Sequence, residues 1–155
     1  MALAHVNGAT NEEIKRGMTS FRGVDRRFDF KLKTDRIVFL SDYAHHPAEI
    51  AQSVKSVREL YRDKKITGIF QPHLYTRTRD FYKEFADSLS LLDEVILTDI
   101  YPAREQPIPG ISSLLIYDQL RPGIEKCLCK KEDVINLIER KDIEVLIVLG
   151  AGDLD

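Results

Sequence analysis

Apolar residues recur along this chain at two periods, and each change of period marks a predicted change of structure. Residues 1–8 end in an Asn7-Gly8 turn signal. Thr10 with Glu13 three positions on forms a capping-box pattern, and Ile14, Met18 and Phe21 follow at helical spacing, so a short helix is predicted over 10–20. The period then drops to two. Phe28, Phe30 and Leu32 alternate with Asp29, Lys31 and Lys33, the pattern of a half-exposed strand, and Thr34-Asp35 turns the chain into an apolar run over 36–40. Two strands this close pair as an antiparallel hairpin, with the first at or near an edge.

From Leu40 onward, apolar strands alternate with amphipathic helices. Ile50, Val54, Val57 and Tyr61 stripe one helix, with Pro47 suited to its first turn. Residues 66–70 form a buried strand, and Phe81, Phe85, Leu89 and Leu92 stripe the next helix. A strand at 95–97 follows, then a helix capped by Ser112-Ser113 that runs through Leu120 and stops at Arg121-Pro122-Gly123. A strand around Cys127–Cys129, a helix with Val134, Ile135 and Ile138 on one side, and the apolar run 145–149 complete the series. The pattern is that of a three-layer α/β fold with a mostly parallel sheet and an N-terminal antiparallel hairpin, because helical crossovers return the chain to the same end of the sheet. Such sheets bind ligands beyond the carboxyl ends of their strands. The segments 41–47, 71–79, 100–110 and 150–153 should therefore share one rim.

With 155 residues the chain has room for one domain and a substantial core. A formal charge of −2 gives no general attraction to nucleic acid or an anionic membrane, so any anion site has to be local. No apolar run approaches the length of a membrane span and no signal-peptide pattern opens the chain, which reads as a cytoplasmic protein. Cys127 and Cys129 would share a strand face, a poor arrangement for a disulfide, and are expected to be structural thiols.

Four stretches carry candidate chemistry. Gln71-Pro72-His73-Leu74-Tyr75-Thr76-Arg77-Thr78-Arg79 places an imidazole, a phenol and two guanidiniums between a strand and a helix; guanidinium forks match carboxylates and phosphates. Asp42-Tyr43-Ala44-His45-His46-Pro47 places a carboxylate at a strand end and two imidazoles before a helix. It can be read as a polar contact to a nucleotide or acid, as helix capping, or as a metal site if His45, His46 and Glu49 converge. Arg26-Arg27, before an edge strand, reads on its own as a solvated basic pair. Gly150-Ala151-Gly152 reads as a tight turn. The Arg77 and Arg79 stretch lacks the basic stripe with interleaved aromatics expected of a nucleic-acid surface. No Gly-x-x-x-x-Gly-Lys-Ser/Thr loop is present, so a triphosphate would have its phosphates held elsewhere.

Taken in order, Gly23-Val24-Asp25-Arg26-Arg27-Phe28, Asp42 through Pro47, Phe70 through Asp80, Tyr101-Pro102-Ala103, Pro107-Ile108-Pro109-Gly110 and Gly150-Ala151-Gly152-Asp153 resemble the C-terminal part of the Mur ligases. The stretch 70–80 is similar to the branch that adds L-alanine. The resemblance implies a Rossmann-like third domain over residues 23–155, with residues 1–22 the tail and linker of a central ATPase domain. It implies an ATP-dependent amide ligase that joins L-alanine to UDP-N-acetylmuramate through an acyl phosphate, with magnesium neutralising charge. The fragment itself would be inactive, with no cofactor bound. Its partners would be the central and N-terminal domains of the same polypeptide, with no nucleic acid and no membrane. By the same resemblance Arg27 would contact ATP across the domain junction and Asp42 its ribose. Tyr43, His45, His73 and Arg77 would line the amino-acid side, and Arg77 would hold the alanine carboxylate. Leu74 departs from the family, which often has Arg there, and this shifts weight to Arg77 with Arg79 beside it. No catalytic group and no metal ligand is assigned to this chain. Two other readings stand beside this one: a stand-alone module for a small anion or nucleotide, and a related ligase that recycles a muramyl tripeptide.

Overall fold

The structure is a computed structural model that describes residues 1–21 and 23–154; Arg22, where the expected linker ends, and Asp155 lie outside the described residues. Two helices come first, α1 (Ala2–Val6) and α2 (Asn11–Ser20). The Thr10 hydroxyl accepts from the Glu13 backbone N–H while the Glu13 carboxylate accepts from the Thr10 N–H, so the capping box forms as the sequence predicts. Neither helix contains a buried residue, and Leu3, Val6, Met18 and Phe21 are all exposed.

The strands β1 (Asp29–Lys33), β2 (Val38–Asp42), β3 (Ile66–Phe70), β4 (Glu94–Leu97), β5 (Glu125–Leu128) and β6 (Val145–Leu149) form one sheet in the order β1-β2-β6-β3-β4-β5. Only β1 runs antiparallel, paired with β2; all other pairings are parallel. β6 fills the slot between β2 and β3, so the chain order reverses there. Every residue of β3 and of β6 is buried, as expected of strands covered on both faces.

Helices α3 (Pro47–Leu60), α4 (Tyr75–Leu89) and α5 (Leu114–Gln119) cover one face. Ile50, Val54, Val57, Phe85, Leu89 and Ile116 interlock there with Leu40, Ile66, Phe70, Leu97, Ile147 and Leu149. Each such side chain removed from water contributes roughly 1.5–3 kcal/mol, so this layer dominates stability. The other face carries Ile69, Ile96, Leu146 and Val148 and is covered by a 3-10 turn (Lys131–Asp133) running into α6 (Val134–Ile138).

Three local expectations change. Phe30 and Leu32 are exposed, because β1 is an edge strand and a bulge between them breaks the alternation against β2. Ile135 is exposed: the short 3-10 turn ahead of α6 sets which side faces the sheet, and only Val134 is buried. The strand near the cysteines ends at Leu128, one residue before Cys129. Both thiols are free and pack against the second cluster, and burial pushes Cys129 up to about 11.

Candidate functional site

The loops after β2, β3, β4 and β6 do meet on one rim, and backbone hydrogen bonds knit them together. Leu74 N–H donates to the Tyr101 carbonyl at 2.9 Å and Tyr101 N–H to the Pro72 carbonyl at 2.8 Å, extending the β3–β4 pairing past the strand ends. Gln71 N–H donates to Leu149 O at 3.2 Å, and Gly150 N–H to Asp42 O at 3.2 Å. The Gln71 carboxamide then exchanges two bonds with Asp153, through its Nε2 to Oδ1 at 3.3 Å and from the Asp153 N–H to Oε1 at 3.1 Å.

On this frame the rings form a continuous row. Tyr43 meets His45 edge-on at 5.3 Å between centroids, His45 meets His73 at 6.1 Å, and His73 stacks on Tyr101 at 5.6 Å. Arg77 lies in the first turn of α4, its Nη1 3.3 Å from Nδ1 of His73. At the other end of the row, the guanidiniums of Arg26 and Arg27 sit 5.0 and 5.1 Å from the centroid of the Tyr43 ring. The basic pair is therefore more than a solvated one. Arg26 takes φ +60°, and its Nη2 donates to Gly152 O at 2.9 Å, while Arg27 stays exposed with its charge accessible.

Asp42 ends β2 almost fully buried, and Ser53 of α3 donates to its Oδ2. Glu49 accepts from the backbone N–H groups of His45 and His46 at 3.0 and 3.1 Å and lies 3.5 Å from His45 Nδ1. Burial alone would raise the Glu49 carboxyl, but those N–H groups and the nearby His45 and Arg27 outweigh it and hold it below the usual range. The His46 ring packs instead on Phe81, at 5.2 Å, where α4 is kinked. Among the three readings of the Asp42–Pro47 stretch, Glu49 thus acts as a cap for α3 that also fixes His45. Among the described residues no group of three or more His, Cys, Asp or Glu side chains is arranged to hold a metal.

Tyr43, His45, His73 and Arg77 are brought together, and Arg27 and Asp42 stand along the same rim nearer β1 and β2. Arg79 does not join Arg77. It is exposed and makes a forked pair with Asp80, at 2.7 and 3.2 Å. Leu74 holds φ +75°, rare for a side chain this large, and its carbonyl accepts both the N–H and the hydroxyl of Thr78. Residue-by-residue reading passes over Glu105, which accepts from the Thr76 backbone N–H at 3.0 Å and from the Thr76 hydroxyl, anchoring the start of α4. Its only sequence signal is its place in the loop after β4.

A mostly parallel α/β sheet whose rim gathers guanidiniums, imidazoles and phenols beyond the carboxyl ends of its strands defines a Rossmann-like α/β domain, a class that places its ligand sites on that rim. The chain belongs to the Mur ligase family: the family model described as "Mur ligase, glutamate ligase domain" matches residues 26–152. It is 76% identical over its whole length to the UDP-N-acetylmuramate–L-alanine ligase of Phocaeicola vulgatus, of which it covers 34%. The crystal structure of the UDP-N-acetylmuramate-alanine ligase from Thermotoga maritima aligns with 99% of the chain and 33% of its own length, at 29% identity and a TM-score of 0.77. A murein peptide ligase from Psychrobacter arcticus has the same fold, with a TM-score of 0.65 at 19% identity over 97% of this chain and 32% of its own. The chain thus spans about a third of the length of the curated relatives it matches.

Proposed function

We propose that this chain is the C-terminal domain of an ATP-dependent ligase that joins L-alanine to UDP-N-acetylmuramate, an early step of peptidoglycan synthesis in the cytoplasm. The observation that carries the reading is the 76% identity, over every residue of the chain, to a ligase named for that reaction. In this reading residues 23–155 are the domain and residues 1–22 are the tail of a central ATPase domain. The exposed apolar residues of α1 and α2 support that division, as does a family match that begins at residue 26.

Each rim residue then has a role that its surroundings suit. Arg77, pinned at the start of α4, holds the alanine carboxylate by a charge-assisted fork. Tyr43, His45 and His73 wall the amino-acid site. Arg27, exposed on the Tyr43 ring, reaches ATP across the domain junction. Asp42, held through Oδ2 by Ser53, contacts the ribose hydroxyls. ATP supplies the phosphoryl group that activates the muramic acid carboxylate; magnesium and the phosphates belong with the central domain. Closing this rim onto that domain brings amine and acyl phosphate together and keeps water out.

The test is an assay of the full-length polypeptide and of the isolated chain with ATP, magnesium, UDP-N-acetylmuramate and L-alanine. The full-length protein should form UDP-N-acetylmuramoyl-L-alanine and the isolated chain none. Turnover by the isolated chain at a comparable rate, or a full-length protein that accepts a muramyl-linking tripeptide in place of L-alanine, would refute the reading.

A further inference from the structure

His73 and Arg77 are close enough to settle where the imidazole carries its proton. A guanidinium has donors and no acceptor and stays charged at any pH a protein tolerates. At 3.3 Å from Arg77 Nη1, the His73 Nδ1 must be the acceptor, which leaves the ring neutral with its proton on Nε2. The surroundings favour the neutral ring: burial first, then the charges of Arg77 and His45, hold His73 below the ordinary histidine range, against an opposing pull from Glu105. These groups, with the stacked Tyr101, are the titratable and charged side chains facing the ring from α4, from the loop after β2 and from the loop after β4.

We propose that Arg77 masks the basic nitrogen of His73 in the resting domain and that the carboxylate of the incoming α-amino acid unmasks it, so that His73 takes the proton of the ammonium group. This rests on the ligase reading above. An ammonium ion has no lone pair and cannot attack an acyl phosphate, so one proton has to leave first. A carboxylate draws Arg77 away from Nδ1, because a hydrogen bond between two charged groups is stronger than one to a neutral ring. The carboxylate and ammonium of an α-amino acid hang from the same carbon. Whatever occupies Arg77 by its carboxylate therefore brings its ammonium to the nitrogen just uncovered. The ammonium N–H bond breaks and an N–H bond forms at Nδ1, giving imidazolium and a free amine. The amine lone pair attacks the acyl carbon, the carbon–oxygen bond to phosphate breaks with its electron pair on phosphate, and the second proton lost by nitrogen leaves on that phosphate. The imidazolium is tolerated beside Arg77 because the substrate carboxylate now neutralises the guanidinium. His73 is in this account a catalytic residue switched on by its own substrate.

His73→Asn separates this role from a structural one, since the Asn carboxamide oxygen can still accept from Arg77 but cannot take a proton. Hydroxylamine is the probe, because it is unprotonated at neutral pH and traps an acyl phosphate without a base. In the full-length ligase, His73→Asn should lower the ratio of alanine amide to hydroxamate formed by about 100-fold, the size of a lost general base, and should move the acidic limb of kcat against pH in the alanine reaction upward, toward the ionisation of the alanine ammonium group itself. An unchanged ratio, or an acidic limb that stays at the pH of the parent's, would overturn the proposal. If the unsubstituted ligase forms neither product, the ligase reading fails and this proposal with it. Nitrogen-15 NMR of the 155-residue chain adds a readout independent of turnover: without amino acid, His73 should carry its proton on Nε2. A proton on Nδ1 at about pH 8, above the histidine range, would overturn the mask.

Discussion

Gln71 ties the rim together through atoms that no motif advertises. Its carboxamide bonds Asp153, 82 residues later, and its backbone carbonyl lies where a Cβ on Gly150 would come within 2.9 Å. Gly150 also holds φ +140°, which side-chain-bearing residues rarely adopt. Gly150→Ala is therefore strained twice, once by its own dihedral and once against main chain that cannot rotate aside. It should lose roughly 2–3 kcal/mol, a fall in Tm of roughly 4–10 °C by thermal denaturation. A Tm within a degree of the parent would contradict this. In Gly152→Ala the new methyl would fall 1.8 Å from Gln71 Oε1, so housing it means giving up the carboxamide's bonds to Asp153. From sequence these glycines read as a tight turn; the chain bends at 151–153. What they turn against was illegible, because the partner is distant in the chain. Arg26 and Arg27 teach the same lesson: adjacent and chemically alike, they diverge because only Arg26 adopts φ +60° and reaches the last loop.

Among the elements, those whose pattern reports burial on both faces were the most legible. β3 and β6 fall at 66–70 and 145–149, where the apolar runs put them, and α2 begins at its capping box. β1 and α6 deviated because a bulge and a 3-10 turn shift the phase, and neither leaves a mark in composition. A second feature invisible to pattern reading sits at the opposite end of the sheet from the rim. Glu94 opens β4 at 3% exposure, pairs with Lys65 at 3.0 Å and with Lys141, and accepts from the Thr67 hydroxyl at 3.1 Å. Burial alone would raise its carboxyl, yet the two lysines outweigh burial and hold it below the usual carboxylate range. A carboxylate with a lowered folded pKa stabilises the fold above its unfolded value, near about 4.3, and that contribution fades as pH falls through the folded pKa. Glu94→Gln should lower stability by roughly 3 kcal/mol at neutral pH and flatten the dependence on pH below about 4.5. Urea titrations across that range check both, and an unaltered acid dependence would rule out Glu94 as its source.

At the scale of the whole molecule, the sheet is covered unevenly, by three helices on one face and by a 3-10 turn with a five-residue helix on the other, and the rim chemistry gathers at one end. The ligase reading proposed above divides the labour, giving recognition of the acceptor to this domain and the triphosphate to another part of the full-length ligase. The shared rim was legible, because parallel topology brings four loops scattered along the sequence to one end of the sheet. The order of residues along the rim was not, since it depends on β6 entering between β2 and β3 and on ring packing between loops. The most direct test of the division of labour is steady-state kinetics of Arg77→Ala in the full-length ligase. Loss of a charged hydrogen-bonding partner for the carboxylate, worth about 1.5–3 kcal/mol, should raise the KM for L-alanine roughly 10- to 100-fold while leaving the KM for ATP within about twofold. An Arg77→Ala enzyme whose KM rises for ATP and not for L-alanine would contradict the account.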